Sequence, residues 1–343
     1  SRPTGRPLLR AGGLSLLLAL AACSSAPANR IDPEQQAEYY ADTALAHYET
    51  GDLDRAESQA LKVLDIEKDN EQMRLLVGWI ELQRGTVESL EKAEWVFRNY
   101  IDDFGEKERA ILGLAQTLER LGVFEELAAN AIERGERLPD RGTPEKRAAD
   151  FRERSRESWA EAYELFTSVQ SKQGDSVKAL DGLQRVTARL GRLEESLEWS
   201  GKLLDQAERE QDFYRKRLES VDPGAQEEKR MRLGERRTRE LMANTYLFEN
   251  AQLVSLGRLD DAVASLDAAL ELDPDIVDAY SKRAQLHYLL QNYPAARRDV
   301  ETFIARSPLA TDHPDVKRAF ELLDHATRQD PSLDWVAAIV ADR

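Results

Sequence analysis

Cys23 is the residue of this chain whose type and surroundings predict a defined covalent chemistry. It is the only cysteine among 343 residues, so it cannot form a disulfide within the chain. Residues 1–10 carry three arginines and no acidic residue, and residues 11–22 form the apolar run AGGLSLLLALAA. A basic start, an apolar run of this length and small residues before a cleavage point predict a secretory signal peptide. The apolar run is too short to span a bilayer as a helix.

The segment 20–23 (LAAC) resembles the lipobox of bacterial lipoproteins. In that family the cysteine becomes the first residue of the mature protein and receives a diacylglycerol thioether and an amide-linked acyl chain such as palmitate. The resemblance implies that Cys23 is lipidated, and several acyl chains give a stable membrane anchor where one does not. Ser24 rather than aspartate follows, which in that family favours the periplasmic face of the outer membrane over the inner membrane or the cell surface. An ordinary cleaved signal peptide is the alternative.

The remaining residues show no constellation for catalysis or metal binding. The four histidines (47, 287, 313 and 325) include no pair spaced for zinc with a glutamate between them, and no second cysteine is available. Glycine-rich phosphate loops are absent, and the acidic residues are spread along the chain. The sequence therefore predicts no catalytic residue, no metal and no cofactor. A hydrolase or a glycan-binding protein is the least favoured alternative.

Composition predicts an acidic, all-α protein. The chain has 48 Lys and Arg against 64 Asp and Glu, for a formal net charge of −16. This balance argues against nucleic acid as a partner and against broad contact with anionic lipid. Sustained alternation of apolar and polar residues, which marks strands, is almost absent.

A short pattern of leucine, glycine, an apolar residue and two acidic residues recurs along the chain. It stands at 121–126 (LGVFEE), 190–195 (LGRLEE) and 256–261 (LGRLDD), and Gly51 begins a looser fourth copy. Glycine ends a helix by entering the left-handed region, and acidic residues favour the start of the next helix. Each copy therefore predicts a turn between two helices at its glycine.

The spacing of small residues resembles the tetratricopeptide repeat (TPR) family, in which each 34-residue repeat is a pair of antiparallel helices. Matching repeats begin at Ala37, Glu71, Glu108, Ala243 and Val277. The resemblance implies an all-α, right-handed solenoid of helix-turn-helix repeats, because small residues let the two helices cross closely. The residues at the family's small positions are Ala44, Gly51, Ala56, Gly78, Gly85, Ala93, Ala115, Gly122, Gly257, Ala262, Ala269, Ala284 and Ala296.

The middle of the chain is less regular. Gly174 and Gly191 both look like turns, yet they are too close to hold the same position of two full repeats. We expect a degenerate repeat with its turn near Glu157, followed by a repeat with its turn at Gly191. Residues 193–256 then predict two long helices around Pro223, since apolar residues in the first follow a heptad seam. One more degenerate repeat is the alternative to this helical hairpin.

The second hairpin helix carries a basic cluster at 229–239 (KRMRLGERRTR). We expect it to pair with acidic residues of the opposing helix, with lipid headgroups or an acidic partner as alternatives. Those acidic residues are Glu208, Glu210, Asp212 and Glu219.

The predicted organisation follows from these segments. Near the C-terminus the apolar residues around Trp335 either fold back on the last repeat or dock on another chain. The segments are 1–22, signal peptide; 23–36, lipidated cysteine and flexible tether; 37–139, N-terminal TPR repeats; 140–192, degenerate repeats with a hinge near 140–144; 193–256, long hairpin; 243–310, C-terminal TPR repeats sharing a helix with the hairpin; and 311–343, capping helices.

In the TPR family the first helix of each repeat lines a concave groove, and this resemblance implies the groove residues. The expected floor is apolar with two aromatic rings, which suits an extended or helical segment of a partner. The alternative is that Trp79 packs inside its repeat against Trp95 or Tyr100. The main groove comprises Leu45, Tyr48, Leu75, Trp79, Leu82, Arg109, Leu112 and Gln116, and a weaker second groove comprises Leu247, Ala251, Gln285 and Tyr288.

Together these features predict a lipid-anchored periplasmic adaptor without catalysis. Its partners would be other envelope proteins or their peptide segments, with the membrane contacted through the anchor. The resemblance suggests roles in the assembly of envelope complexes, such as pilotins of pilus secretins, outer-membrane insertion subunits or export scaffolds. A self-assembling structural lipoprotein, for example a homodimer through the hairpin or the tail, is the alternative.

Overall fold

The computed structural model describes residues 32–139, 142–222, 224, 226–329, 333 and 336. In this part of the chain the backbone forms thirteen α-helices and no β-strand, which confirms the all-α prediction. The predictions for the signal peptide, Cys23, Pro223 and Trp335 lie outside the described residues. The helices are α1 Pro33–Glu49, α2 Leu53–Ile66, α3 Glu71–Arg84, α4 Val87–Phe104, α5 Glu108–Glu133, α6 Pro144–Lys172, α7 Val177–Arg189, α8 Leu193–Leu218, α9 Gln226–Ser255, α10 Leu259–Leu272, α11 Val277–Leu289, α12 Tyr293–Arg306 and α13 Pro314–Arg328.

Each helix packs against the next one along the chain. Grouped two by two from α1, the helices form six pairs, and α13 follows the last pair. Helix α3 also contacts α5, α5 contacts α7, and α11 contacts α13. Helices α3, α5 and α7 therefore lie side by side in one layer, as α11 and α13 do, which is the arrangement of a helical solenoid of repeats.

Glycines with positive φ form the turns between several paired helices. Gly51, Gly191 and Gly257 have φ of +79°, +76° and +72°, so each is in the left-handed conformation that glycine adopts without steric cost. Polar caps start the helices that follow some turns: the Asn70 carboxamide oxygen accepts a hydrogen bond of 3.0 Å from the backbone N–H of Met73 at the start of α3.

The prediction of a turn at Gly122 is wrong. Gly122 lies inside the 26-residue helix α5, which runs on to Glu133. A Cβ at this position would be 2.4 Å from Nε1 of Trp159 on α6. Glycine is therefore needed here because α5 and α6 approach closely. Close packing and a tight turn both favour glycine, so the residue type alone does not tell them apart.

The prediction of a turn near Glu157 is also wrong. Glu157 lies inside α6, a 29-residue helix that packs along the equally extended α5. Gly174 and Gly191 are both in turns, because the helix between them, α7, has 13 residues and forms the first helix of the next pair. Because α5 and α6 are longer than ordinary repeat helices, the residues around Glu157 are helical and form no extra turn.

Aromatic rings fill gaps that glycines leave on neighbouring helices. The ring of Phe97 on α4 is fully buried between Gly78 of α3 and Gly113 of α5, where added Cβ atoms would meet it at 2.7 and 2.3 Å. Phe166 of α6 occupies the same relation to Gly182 of α7, at 2.4 Å. These contacts set the spacing of the helices that carry the candidate site.

Helices α8 and α9 have 26 and 30 residues and pack against each other. Close to the solenoid, Leu204 and Ala207 of α8 are buried with Met242 of α9. Further out, Tyr214 of α8 lies against Gly234 of α9, where a Cβ would be 2.4 Å from the ring.

The basic cluster of α9 does not pair as predicted. Arg232 and Arg236 form ion pairs within their own helix, with Glu228 and Glu240. In the described residues, the ion pair that joins the two hairpin helices has its cation on α8 and its anion on α9: Arg217 pairs with Glu227. The prediction of pairing with the acidic residues of α8 is therefore wrong.

The C-terminal segment folds back on the last repeat at the two positions that the structure describes. Leu333 and Val336 are buried with residues of α11, α12 and α13. The backbone N–H of Leu333 donates a hydrogen bond of 3.2 Å to the hydroxyl of Tyr288.

Among the helices in the described ranges, none is long and apolar enough to cross a membrane.

Candidate partner-binding groove

The candidate site lies on the layer of first helices, α1, α3, α5 and α7. We use the term groove for the surface of Tyr48, Trp79, Arg109, Gln116 and Lys178. Arg109 and Gln116 are two helical turns apart on α5 and so share one face of that helix. Arg109 is exposed and the Gln116 side chain is half-buried.

Trp79 is the central aromatic residue of the groove. Its half-buried ring packs edge-on against Phe97, with centroids 5.7 Å apart and an interplanar angle of 76°. The indole N–H is buried and has no hydrogen-bond partner among the described residues. A buried tryptophan normally finds a partner for this donor, and leaving it unmade costs about 1–3 kcal/mol.

Trp79 packs inside its repeat, as the alternative from the sequence has it, but the ring that it meets is Phe97 rather than Trp95 or Tyr100. Trp95 is 68% exposed and lines a hollow of about 450 Å³ on another side of α4, together with Leu61 and Val77. Phe97, two residues further along α4, takes the place expected for Trp95, because it points between α3 and α5.

Cations border the aromatic part of the groove. The ammonium group of Lys178 lies 5.6 Å from the Trp79 ring centroid, within range of a cation–π interaction. Burial raises the pKa of the half-buried Tyr48, and the guanidinium of Arg109 acts in the opposite direction. Side chains of α1 and α5, and of α3 and α7, thus influence each other across an intervening first helix.

Three leucines predicted for the groove lie in the core instead. Leu75, Leu82 and Leu112 are 9%, 3% and 4% exposed and belong to the buried cluster around Phe97. The reason is that α3 and α5 touch each other as well as their second helices, which covers these side chains. Leu45 is half-buried against the first-repeat core, so the accessible groove is narrower and more polar than expected.

Helix α7 contributes residues that the sequence analysis did not assign to the site. The guanidinium of Arg185 bridges α7 and α5 by donating to both carboxylate oxygens of Glu119, at 2.5 and 2.9 Å. With Gly191 at position 15 of the repeat, Lys178 and Arg185 hold positions 2 and 9, which face the groove in the resembled family. The repeat spacing therefore contained the signal for these two residues. The predicted groove stopped at the repeat that begins at Glu108 and left out the next one.

The four residues of the second groove are not brought together as one surface. Ala251 is exposed and Leu247 packs toward Leu253 and α10. Tyr288 is 4% exposed in the C-terminal core. Gln285 faces a separate hollow of about 260 Å³ between α11, α12 and α13. This prediction is wrong because α11 is covered by the capping helix.

The described residues contain no group of three His, Cys, Asp or Glu side chains placed to hold a metal ion. His47 and His287 are half-buried inside their repeats. His287 lies 3.9 Å from Asp299, and burial lowers its pKa. The groove thus offers aromatic surface and cationic side chains, which are features suited to binding a partner.

Comparison with known proteins identifies one repeat directly. Residues 252–291, from the end of α9 through α11, match the family model described as TPR repeat. These residues carry the TPR pattern. Repeats of this kind are typical of scaffolds for protein–protein interaction. Comparison with curated proteins gave no match.

Solved structures with helical repeats resemble the chain at low identity. A structure from a functional characterisation of Pseudomonas aeruginosa pilF is 11% identical, with a TM-score of 0.49, covering 84% of this chain and 98% of its own. TTC0263, a thermophilic TPR protein from Thermus thermophilus, is 14% identical with a TM-score of 0.44, over 74% and 99%. A tetratricopeptide repeat protein from Parabacteroides merdae ATCC 43184 is 16% identical with a TM-score of 0.35, over 85% and 99%.

Proposed function

We propose that this protein is a lipid-anchored scaffold at the periplasmic face of the outer membrane. In this proposal Cys23 carries the lipid, and the helical repeats hold segments of other envelope proteins during assembly of an envelope complex, without catalysis. The signal-like residues 1–22 and the LAAC segment support the anchor, and the TPR match at 252–291 supports the scaffold.

The half-buried ring of Trp79, with the ammonium group of Lys178 beside it, is the observation that carries the binding role. The exposed part of the ring offers apolar contact area to an incoming segment, and a tryptophan in a partly enclosed site typically contributes about 2 kcal/mol or more to binding. The indole N–H is buried, so the segment contacts the ring and not this donor.

The charges of the groove favour a segment with apolar and acidic side chains. Arg109 and Lys178 are exposed and form no ion pair with an acidic residue in the described part of the chain, whereas Arg185 is held by Glu119. An otherwise acidic protein thus presents cations at this surface, which steers an acidic segment toward it.

Co-purification after crosslinking in intact cells tests the proposal. The full-length chain is compared with Trp79→Ala combined with Tyr48→Ala, and with the charge reversals Arg109→Glu and Lys178→Glu. Loss of about 2 kcal/mol at Trp79 predicts at least a thirtyfold weaker recovery of the bound protein. Trp95→Ala is the matched control, since it removes an exposed tryptophan from another face of the same repeat.

The charge reversals lie at exposed side chains, so they test the groove without disturbing the core around Phe97. Recovery unchanged in both groove variants, or lost equally in Trp95→Ala, would refute the groove as the binding surface.

A further inference from the structure

The outward side of α9 in the hairpin presents cations around one apolar residue. At 100° per residue, Lys229, Arg230, Leu233, Arg236 and Arg237 fall within an arc of about 120°, with Leu233 at its centre. We call these five residues the basic face. The four cations are exposed and Leu233 is 36% exposed.

The basic face is turned away from the side of α9 that packs against α8. Gly234, Thr238 and Met242 lie on the opposite side of α9; Thr238 and Met242 are buried, and Gly234 contacts the Tyr214 ring. Arg236 pairs with Glu240, which lies on the same side of α9, whereas Lys229, Arg230 and Arg237 form no ion pair in the described residues. Their charge is therefore available to an outside partner.

The charge of this region is opposite to that of the whole chain. Residues 213–239 contain nine Lys or Arg and five Asp or Glu, a formal charge of +4, while the chain carries −16. Phe213, at the same level of the hairpin as Leu233, is 59% exposed. Clustered Lys and Arg on one helix face are attracted to anionic headgroups, at about 1 kcal/mol for each cation near the surface.

We propose that the basic face docks on an anionic lipid surface, as a contact separate from the partner-binding groove and from the lipid anchor. The face is the outer side of a single helix, so it suits a flat array of phosphate headgroups better than a peptide segment, which a groove between helices would hold. The acidic remainder of the protein is repelled by the same surface, which orients the molecule with the hairpin toward the bilayer.

Vesicle co-sedimentation of the full-length chain carrying Cys23→Ser, which removes the lipid anchor and leaves the basic face unchanged, tests this docking. Partition is measured on phosphatidylcholine vesicles with and without about 30 mol% phosphatidylglycerol, at about 50 mM salt, where surface charge is weakly screened. Neutralising the four cations should lower the preference for anionic vesicles about thirtyfold, which corresponds to two of the four charges reaching the surface. The variant is Lys229→Gln, Arg230→Gln, Arg236→Gln and Arg237→Gln.

A control with the same change in net charge separates docking from overall electrostatics. It neutralises four exposed cations elsewhere and should keep the wild-type preference. A second variant, Leu233→Gln, keeps every charge and should weaken binding about fivefold at about 300 mM salt, where the apolar contact dominates. The control is Lys146→Gln, Lys282→Gln, Arg298→Gln and Lys317→Gln.

Three outcomes would overturn the proposal. Equal loss in the control and the basic-face variant would reduce the effect to net charge. No preference of the wild type for anionic vesicles would leave an acidic protein as the occupant. Sedimentation without vesicles, abolished by the basic-face variant, would assign the face to a second copy of this acidic chain.

Discussion

Substituting the two helical glycines Gly113 and Gly201 by alanine should change stability in opposite directions. Alanine is favoured over glycine inside a helix by up to about 1 kcal/mol, and this gain applies at both positions. At Gly201 of α8 an added Cβ meets no atom within 4 Å. Gly201→Ala should therefore stabilise the protein by roughly 0.5–1 kcal/mol.

At Gly113 the same methyl group collides with the fully buried ring of Phe97. The added Cβ would lie 2.3, 2.4 and 2.8 Å from three atoms of that ring, and Gly78 of α3 lies against the same ring. Overpacking of a core costs about 1–3 kcal/mol, and three contacts this short favour the upper end. Subtracting the propensity gain, we expect Gly113→Ala to destabilise by about 2 kcal/mol.

Equilibrium unfolding in urea, followed by circular dichroism, measures both changes in the same background. Phe97→Leu should partly rescue Gly113→Ala, so the double variant should be at least about 1 kcal/mol more stable than the sum of the single effects. If Gly113→Ala were as stabilising as Gly201→Ala, the close packing of α3, α4 and α5 around Phe97 would be refuted.

Three further predictions address charge and anchoring. Asp299→Asn should destabilise by about 2–3 kcal/mol because it removes the buried partner of Arg283, whereas Asp267→Asn, at a half-exposed partner of the same arginine, should cost less than about 1 kcal/mol; thermal unfolding compares them. Burial raises the pKa of Glu249 to about 7 from an ordinary value of 4.5, so the carboxyl loses its proton at lower pH in the unfolded chain than in the folded protein. The free energy of unfolding should therefore fall by about 1–2 kcal/mol, after allowance for solvent screening, as pH rises from about 4.5 to 7. The Glu249→Gln variant should lack this loss when urea unfolding is measured across the same pH range. Cys23→Ser should move the protein from the membrane fraction to the soluble fraction, and an unchanged distribution would contradict lipidation.

Helix composition and most turns were predictable because they depend on local signals. Glycine in the left-handed conformation at Gly191 and Gly257 is required by the turn itself, and the flanking leucine and acidic residues mark the two helix ends. Gly122 carried the same flanking residues but serves packing against Trp159. A single sequence does not distinguish these two uses of glycine, since the difference lies in what another helix places opposite.

The candidate site was predictable in outline and not in depth. The repeat positions located Trp79, Arg109 and Gln116, but they could not show that Leu75 and Leu82 are covered, because burial depends on how closely α3 and α5 approach. The distance between α3 and α5 depends on the ring of Phe97 on α4, which packs against a glycine of each. The unsatisfied N–H of Trp79 is likewise a property of three-dimensional surroundings.

Photo-crosslinking in living cells tests the central claim, that the layer of first helices holds a partner. A photoreactive amino acid replaces Gln116 in the groove or Trp95 on the other face of α4, in the full-length chain. We predict a discrete crosslinked protein from position 116 that disappears when Arg109→Glu and Lys178→Glu are added, and no such adduct from position 95. Adducts from position 95 alone, or an adduct at 116 that is insensitive to both charge reversals, would contradict the account.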